Sequence, residues 1–206
     1  WVESYKATVK PVVIGNSFFI APDWIKVPKG YKKLSVIRIN PGMAFGTGLH
    51  PTTQMCLQLI SSLPLSNKNV IDLGCGSGIL GIACAKRGAK SVTFFENYSN
   101  SIKILKKNLD LLNLNKNSTI IEKDVFSINP AQHNLSKFDL IFLDPPFKDN
   151  KLNQLIGIIK KMKITYKNTL IIIHRNTKIS ENICKDLIIS KEKNYGLSKI
   201  IFGKIC

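Results

Sequence analysis

The chain has 206 residues, 44% of them hydrophobic, which suits one well-cored domain with a short extension and excludes both two full-sized domains and a disordered chain. No apolar run approaches the roughly 18 residues that a membrane span needs, and no signal peptide opens the chain, so we expect a cytoplasmic protein without membrane contact. The formal net charge of +17 at pH 7 favours a polyanionic partner such as RNA.

The first 40 residues predict a small β-rich lead-in. Short apolar runs at 12–14, 18–20 and 34–37 alternate with turn signals such as Gly15-Asn16. A loop rich in Gly, Pro and Thr covers 41–53, and 53–63 has the spacing of a helix. We therefore divide the chain into a lead-in at 1–40 and a main domain at 41–206.

Strands alternate with helices of about ten residues from Asn69 onward. Strands are predicted at 70–73, 91–95, 119–121, 138–143 and 169–174, and helices at 79–87, 100–112 and 152–162. This alternation predicts βαβ units and a mostly parallel sheet. The last two segments, 186–193 and 198–204, flank a turn at 194–196 and predict an antiparallel hairpin. The predicted fold is therefore α/β and Rossmann-like, with a C-terminal antiparallel hairpin.

The strongest chemical signal is the run V-I-D-L-G-C-G-S-G at 70–78, between a predicted strand and a predicted helix. Glycines at Gly74, Gly76 and Gly78 let the backbone turn sharply and lie against a ligand near a helix N-terminus. The dinucleotide-binding fingerprint is G-x-G-x-x-G. Counted from Gly74 and Gly76, its third glycine would fall at Ile79, so the fingerprint is incomplete here. The spacing G-x-G-x-G behind Asp72 instead resembles that of class I methyltransferases, whose cofactor is S-adenosylmethionine.

Two further acids follow predicted strands in register with the glycine loop. Glu96 ends the strand at 91–95, where a carboxylate can accept both ribose hydroxyls of a nucleoside cofactor. Asp124 follows the strand at 119–121, where an acid commonly meets an adenine amino group. Taken alone, each acid would be a solvated loop residue; together with the glycine loop, both are candidate cofactor ligands.

The motif L-D-P-P-F at 143–147 closes the strand predicted at 138–143. Ligands bind at the carboxyl edge of open parallel sheets. Two prolines, Pro145 and Pro146, fix the backbone so that Asp144 and neighbouring carbonyls can point at one nitrogen. Phe147 offers a face on which a planar group can stack. We take these four residues as the catalytic candidates, although the same prolines would also suit a plain turn.

Two segments resemble the ribosomal protein L11 methyltransferase family. They are 1–53, especially P-G-M-A-F-G-T-G-L-H-P-T-T at 41–53, and I-D-L-G-C-G-S-G-I-L-G-I-A at 71–83. The resemblance covers roughly the first half of the chain. It implies that Thr53, Gly74, Glu96 and the position of Asp144 contact S-adenosylmethionine or its near surroundings. Within 41–53, Phe45 and Thr47 would belong to a flap that closes over the cofactor.

The second half departs from that family. The family reads N-I-L where this chain has Asp144-Pro145-Pro146, and it carries an N-terminal substrate-recognition domain to which no part of these 206 residues corresponds. Residues 138–147 and the ending E-K-N-Y-G-L-S-K-I at 192–200 resemble instead the methyltransferases that modify guanine N2 in 16S ribosomal RNA. The chain therefore looks like a hybrid of the two families. Both resemblances predict methyl transfer to a nitrogen, but they disagree on whether the acceptor is a protein or an RNA.

Three hypotheses follow for the function. The first is a methyltransferase that uses S-adenosylmethionine to modify amino groups of ribosomal protein L11, supported by the longer matching stretch. The second is a 16S ribosomal RNA guanine-N2 methyltransferase, supported by D-P-P-F, the hairpin and the charge. The third is a catalytically inactive RNA-binding relative. For the charge itself, 27 of the 30 basic residues are lysines, a bias that an AT-rich genome would also produce.

The cysteines and histidines predict neither a metal centre nor a disulfide framework. Five cysteines make an odd count without a C-x-x-C pair, and the three histidines are scattered at His50, His133 and His174. We therefore expect no metal, and a protein that acts as a monomer on a ribosomal protein or ribosomal RNA.

Overall fold

The lead-in forms its own small sheet in the computed structural model, which describes residues 9–39, 50–128, 135–144, 151–178 and 182–206. Its strands are β1 (Val12–Ile14), β2 (Phe18–Ala21) and β3 (Ser35–Arg38). β1 pairs antiparallel with β2, and β2 pairs parallel with β3. Each of the three apolar runs of the lead-in therefore contributes a strand. The boundary predicted at residue 40 lies outside the described residues and stays a prediction.

The small sheet packs onto the same hydrophobic core as the rest of the chain. Phe18 and Ile37 are fully buried and belong to one cluster with Leu57 and Val70. The connection from β2 to β3 is held by Arg38, whose guanidinium donates to the carbonyl oxygens of Pro22, over 2.7 Å, and Ile25. Burial of this apolar area is the main force that attaches the lead-in.

Helix α1 (Pro51–Ser62) begins two residues before its predicted start. Pro51 occupies the first helical position, where its fixed φ fits and its missing N–H is not needed. His50 caps the helix, because its ring Nδ1 accepts a hydrogen bond from the backbone N–H of Thr52. Thr53, the predicted first residue of the helix, instead lies on its buried face within the first turn.

Seven strands form the main sheet in the described part of the chain: β4 (Asn69–Leu73), β5 (Ser91–Glu96), β6 (Ser118–Glu122), β7 (Phe138–Leu143), β8 (Thr165–Asn176), β9 (Leu187–Tyr195) and β10 (Ser198–Ile205). Their order across the sheet is β6-β5-β4-β7-β8-β10-β9. The first five are parallel, and β10 is antiparallel to both β8 and β9. The predicted Rossmann-like sheet with a terminal hairpin is confirmed.

Helices cover both faces of the sheet. Helices α1, α2 (Ile79–Lys86) and α3 (Ser99–Leu112) share one core cluster, and α4 (Leu152–Met162) contributes to the other. Side chains alternate between these faces along each strand. On β4, Val70 packs with the first cluster and Ile71 with the second, so Asp72 points toward the face that carries α1.

The C-terminal part differs from the prediction at two points. β8 starts four residues earlier than predicted, because its polar, exposed beginning at 166–168 hides the strand from a search for apolar runs. The hairpin turn is Gly196-Leu197, since Tyr195 and Ser198 are paired, and Gly196 has a φ of +56° that suits glycine. β9 forms the sheet edge, with most of its side chains exposed, and the pairing of β10 with β9 shifts register between Phe202 and Gly203.

Candidate active site

A cavity of about 600 Å³ opens at the carboxyl ends of the parallel strands. Its walls come from the segments that follow β4, β5, β6 and β7, together with the end of β8. The chain passes from β4 to β5 and β6 on one side and then crosses to β7 on the other. Such a switch point leaves a crevice at the carboxyl edge, which is where open α/β sheets bind their ligands.

The glycine loop after β4 forms the floor of this cavity through Gly74 and Gly76. The backbone N–H groups of Gly74 and Cys75 both donate to the carbonyl oxygen of Phe95, over 2.9 and 3.1 Å, which joins the loop to the end of β5. Gly74 has a φ of +75°, and a Cβ there would meet no atom within 4 Å. The backbone conformation, rather than a neighbouring atom, therefore requires glycine at this position.

Gly78 is explained by packing. A Cβ on it would lie 2.3 Å from Leu105 Cδ1 of α3, and the residue has a φ of +81°. Gly78 is buried and caps the start of α2. The structure thus separates the three glycines, because Gly74 and Gly76 line the cavity whereas Gly78 lets α3 approach the loop.

Glu96 lines the cavity and braces the glycine loop. Its Oε2 accepts a hydrogen bond from the backbone N–H of Gly76 over 2.8 Å. Its Oε1 accepts from the N–H groups of Asn97 and Tyr98, over 2.9 and 3.0 Å. Each carboxylate oxygen can accept more than one hydrogen bond, so Glu96 is held in place and can still receive hydroxyl groups of a ligand.

Asp72 lies behind the loop rather than in the cavity wall. It is 4% exposed, and its Oδ2 accepts a hydrogen bond from the N–H of Gly81 in the first turns of α2 over 3.0 Å. Burial raises the pKa of Asp72 to about 7; the bond from Gly81 works against this, while the negative charges of Asp144 and Glu96 add to it. Asp72 therefore lies behind the cavity, close enough to feel the charges of two acids in its wall.

The segment after β6 supplies a wall that is part polar and part aromatic. Asp124 caps a short 3₁₀ helix (Val125–Ser127) and accepts the N–H of Phe126 over 2.9 Å. Lys151 reaches over the Phe126 ring, with Nζ 5.3 Å from the ring centre. Lys123 also lines the cavity. This side can accept an amino group through Asp124 and pack a planar ring against Phe126.

Asp144 lies at the carboxyl end of β7 and contacts a histidine on the neighbouring strand. Its Oδ1 is 2.8 Å from Nδ1 of His174, and both residues line the cavity. The His174 side chain is 6% exposed and that of Asp144 is 34% exposed. An ionised carboxylate only accepts hydrogen bonds, so in this contact an ionised Asp144 takes its hydrogen bond from a proton on Nδ1 of His174. Asp144 thus reaches the cavity while the histidine holds it from below.

Several predicted site residues lie elsewhere or outside the described residues. Thr53 is buried in the first turn of α1, and neither it nor Asp72 lines the cavity. The flap residues Phe45 and Thr47, and the remainder of the motif, Pro145, Pro146 and Phe147, fall in segments outside the described residues. Their assignments stay predictions. Of the four acids predicted around the cofactor, Glu96, Asp124 and Asp144 line one cavity, and Asp72 does not.

Six polar residues of the cavity wall were not among the predicted site residues; they are His50, Asn97, Ser101, Lys123, Lys151 and His174. His174 had a usable signal, because an apolar strand that ends in one polar residue places that residue at the carboxyl edge. Ser101 had none, since it lies on the buried face of α3 and reaches the cavity only through the packing of that helix.

If the lysines serve RNA binding, those near the mouth of the cavity are expected to form one patch, with Lys148 and Lys151 after D-P-P-F and three lysines on the helix after Glu96 as candidates. The structure divides these residues. Lys151 lines the cavity, and Lys148 lies outside the described residues. Lys103, Lys106 and Lys107 are exposed on α3, but none of them lines the cavity, and Lys106 pairs with Glu122 over 2.5 Å. An exposed ion pair of this kind contributes little to the stability of the fold. It does neutralise one of the three lysine charges on α3.

The three buried cysteines are unsuited to act as nucleophiles. Burial raises the pKa values of Cys56, Cys75 and Cys84, and nearby Asp72 adds to this effect. Among the described residues, no group of three or more His, Cys, Asp or Glu side chains could hold a metal ion. In the same ranges, no helix is long and apolar enough to cross a membrane.

Comparison with known proteins gives a consistent result for the first two thirds of the chain. The family model described as ribosomal protein L11 methyltransferase (PrmA) matches residues 1–144. The ribosomal protein L11 methyltransferase of Prochlorococcus marinus (strain MIT 9301) is 39% identical over 143 residues, which are 68% of this chain and 46% of that protein. Its counterpart in Shewanella baltica is 50% identical over 93 residues, 45% of this chain and 31% of that protein.

A solved structure agrees in fold. The crystal structure of ribosomal protein L11 methylase from Lactobacillus delbrueckii subsp. bulgaricus superposes with a TM-score of 0.73 and 22% identity, covering 96% of this chain and 99% of that one. The chain spans about half the length of the curated relatives it matches.

Proposed function

Because the chain belongs to the ribosomal protein L11 methyltransferase family, we propose that it transfers a methyl group from S-adenosylmethionine to an amino nitrogen of ribosomal protein L11. The observation that carries the proposal is the cavity at the carboxyl edge, where the glycine loop, Glu96 and Asp144 meet. We place this activity in the cytoplasm and assign it to a monomer.

The residues around the cavity fit S-adenosylmethionine. Glu96 would accept the ribose hydroxyls, Asp124 the adenine amino group, and Phe126 would pack on the adenine ring. The exposed backbone at Gly74 and Gly76 would lie against the amino-acid part. When bound, the cofactor supplies an electrophilic methyl group on a positively charged sulfur. The acids in the cavity wall, Glu96, Asp124 and Asp144, would favour such a cation.

Asp144 is the residue that would handle the acceptor. Its carboxylate reaches the cavity from the end of β7, where it can accept an N–H bond of the acceptor and orient the nitrogen lone pair. It also stabilises the positive charge that develops on that nitrogen. A protein ammonium group must first lose a proton. Asp144, whose side chain is 34% exposed, would accept that proton and pass it to solvent, so that its carboxylate is ionised again when the methyl group moves.

Ribosomal RNA is the second candidate acceptor, and one observation favours it. The family model ends at Asp144, so Pro145, Pro146 and Phe147 and the terminal hairpin fall outside the match. The exposed Lys123 and Lys151 at the cavity can meet phosphates. A guanine would have to leave its stack to reach Asp144, and Phe147 would then stack against it. Guanine N2 needs no strong base, because it becomes acidic as it is alkylated.

An inactive RNA-binding relative is the least supported hypothesis. A protein that only bound RNA would have no use for Glu96, Asp144 and the glycine loop around one cavity.

The decisive experiment offers both acceptors to the same preparation. Purified L11 and protein-free 16S ribosomal RNA are incubated side by side with the protein and S-adenosylmethionine labelled in its methyl group. Label in L11 alone supports the proposal, and label in RNA alone supports the second candidate. No transfer to either acceptor, with cofactor still bound, would favour the inactive relative.

A further inference from the structure

We propose that His174 is a positioning residue for methyl transfer: its imidazole holds one oxygen of the Asp144 carboxylate, so that the second oxygen serves the acceptor nitrogen. This inference rests on the proposed function and adds a residue to it. His174 lies some 30 residues beyond Asp144 in sequence, and its role comes from the sheet that brings the two together.

The register of the sheet places the two residues side by side. β7 and β8 are parallel neighbours, and Leu143 is aligned with Ile173. Asp144 and His174 therefore follow at equivalent positions on adjacent strands. Side chains alternate along a strand, and Phe142 and Ile172 both pack in the core cluster under α1. Asp144 and His174, two residues further on, face that same side.

Burial makes the histidine the fixed partner. Its side chain is 6% exposed, whereas Asp144 is 34% exposed and can meet a ligand. The next residue, Arg175, is 1% exposed and points to the opposite face of β8. Burial lowers the pKa of the Arg175 guanidinium, and the negative charge of Asp144 offsets part of this. His174 therefore contacts the Asp144 carboxylate directly, while the buried positive charge of Arg175 acts on it through space.

A held carboxylate matters because methyl transfer depends on alignment. The acceptor lone pair must point along the axis of the displaced bond, and an error of about 1 Å can slow such a step by about a hundredfold. Asp144 alone could rotate about two side-chain bonds. A hydrogen bond of 2.8 Å to a buried ring removes that freedom before the acceptor arrives.

Two substitutions separate positioning from packing. His174→Asn keeps an N–H donor near the place of Nδ1, while His174→Leu removes the donor and keeps most of the volume. Ile173→Val, on the same strand, is the control for a small loss of buried volume. For each variant and the wild type we measure kcat and KM with the acceptor that the wild type methylates, cofactor affinity by calorimetry, and the thermal midpoint.

We expect His174→Leu to lower kcat by about tenfold to a hundredfold, with cofactor affinity and KM changed by less than about threefold. His174→Asn should recover most of kcat, and Ile173→Val should keep it. A kcat of His174→Leu within about twofold of the wild type would overturn the positioning role, as would an asparagine variant as slow as the leucine variant. If the leucine variant does not fold, ¹⁵N spectra of the wild-type imidazole decide instead.

In those spectra, a protonated Nδ1 whose signal moves in Asp144→Asn supports the hydrogen bond, and an unprotonated Nδ1 overturns it. The kinetic outcomes also separate this inference from the proposed function. A wild type that methylates neither L11 nor RNA would overturn the function, and this inference with it. An active wild type matched by His174→Leu would overturn this inference alone.

Discussion

Glu96 accepts the backbone N–H of Gly76 at 2.8 Å, so the acid that ends β5 is bonded directly to the glycine loop that follows β4. Its second oxygen is held by two further N–H groups. Three donors thus fix the carboxylate before any ligand enters. A preorganised acceptor of this kind loses little entropy on binding a hydroxyl, and its removal would disturb the loop as well as the hydroxyl contacts.

We expect Glu96→Ala to weaken S-adenosylmethionine binding by about 1–3 kcal/mol, the usual effect of losing hydrogen bonds to a charged group. Calorimetry measures the change. Glu122→Ala is the matched control, since Glu122 is aligned with Glu96 on β6 but is exposed and lies outside the cavity wall. An unchanged affinity for Glu96→Ala would place the ribose elsewhere.

Cofactor choice provides a second test. The dinucleotide fingerprint G-x-G-x-x-G would need a glycine where this chain has Ile79. Together with the acids Glu96, Asp124 and Asp144 in the cavity wall, this favours a cationic nucleoside over a dinucleotide with a pyrophosphate. We expect S-adenosylmethionine and its demethylated product to bind in the presence of EDTA, and NAD to bind far more weakly. Tighter binding of NAD than of either would contradict the assignment of the glycine loop.

Asp144→Ala should abolish turnover while cofactor affinity falls much less. The side chain reaches the cavity at the end of β7, on the opposite side of β4 from Glu96, and so aims at the acceptor rather than at the ribose. Single-turnover rates and calorimetry on the same preparation check this. Equal losses in both quantities would make Asp144 chiefly a cofactor contact.

Asp72 predicts a pH dependence of stability with a definite sign. Its folded pKa of about 7 lies above the ordinary value of 3.8, so the folded protein binds the proton more tightly than the unfolded one. The stabilisation that protonated Asp72 gives is present below about pH 4 and is lost as pH rises toward and through 7.

Asp72→Asn keeps an oxygen for the Gly81 N–H and removes the charge. The free energy of unfolding of this variant, relative to the wild type, should therefore rise between pH 5 and pH 8, by an amount on the order of 1 kcal/mol or more. Urea denaturation at both pH values measures it. Asp110→Asn, an exposed acid on α3, should show no such rise, and a flat difference for Asp72→Asn would mean that Asp72 is ionised without penalty.

The salt dependence of RNA binding separates a functional role of the lysines from genome composition. Each phosphate contact should contribute about 0.7–0.9 log units of affinity per tenfold change in salt. Replacing Lys148 and Lys151 with alanine should flatten the slope by about one to two contacts. Replacing Lys32 and Lys33, which are exposed and lie outside the cavity wall, should leave it unchanged. If RNA binding is weak and independent of salt concentration, and L11 is methylated efficiently, the high lysine content reflects the codon composition of the genome.

Much of this architecture was predictable because its signals are local. Phe138–Leu143 and Leu152–Met162 have the predicted bounds, since an apolar strand run and a 3.6-residue period are visible within one segment. The beginning of β8 was missed because its side chains are polar, and its pairing with β7 and β10 comes from other parts of the chain.

The site residues also divide into those with a local sequence signal and those that depend on the pairing of distant segments. The spacing of glycines and acids after successive strands indicated Glu96, Asp124 and Asp144, which all line the cavity. The partner of Asp144 required the register of β7 against β8, which no single segment encodes. Thr53 and Gly78 illustrate the reverse case, in which a conspicuous residue type serves helix packing instead of lining the cavity.

The exposed edge strand β9 has a consequence for how the chain behaves at high concentration. A nine-residue edge with exposed Ile188 and Ile189 is a template onto which another chain could add a strand and begin to aggregate. Charged residues occupy the middle of the strand at 191–193, and the register shift at Phe202/Gly203 distorts the pairing behind it. Lys191 and Lys193 therefore place charges on this edge that disfavour the addition of a strand from another chain.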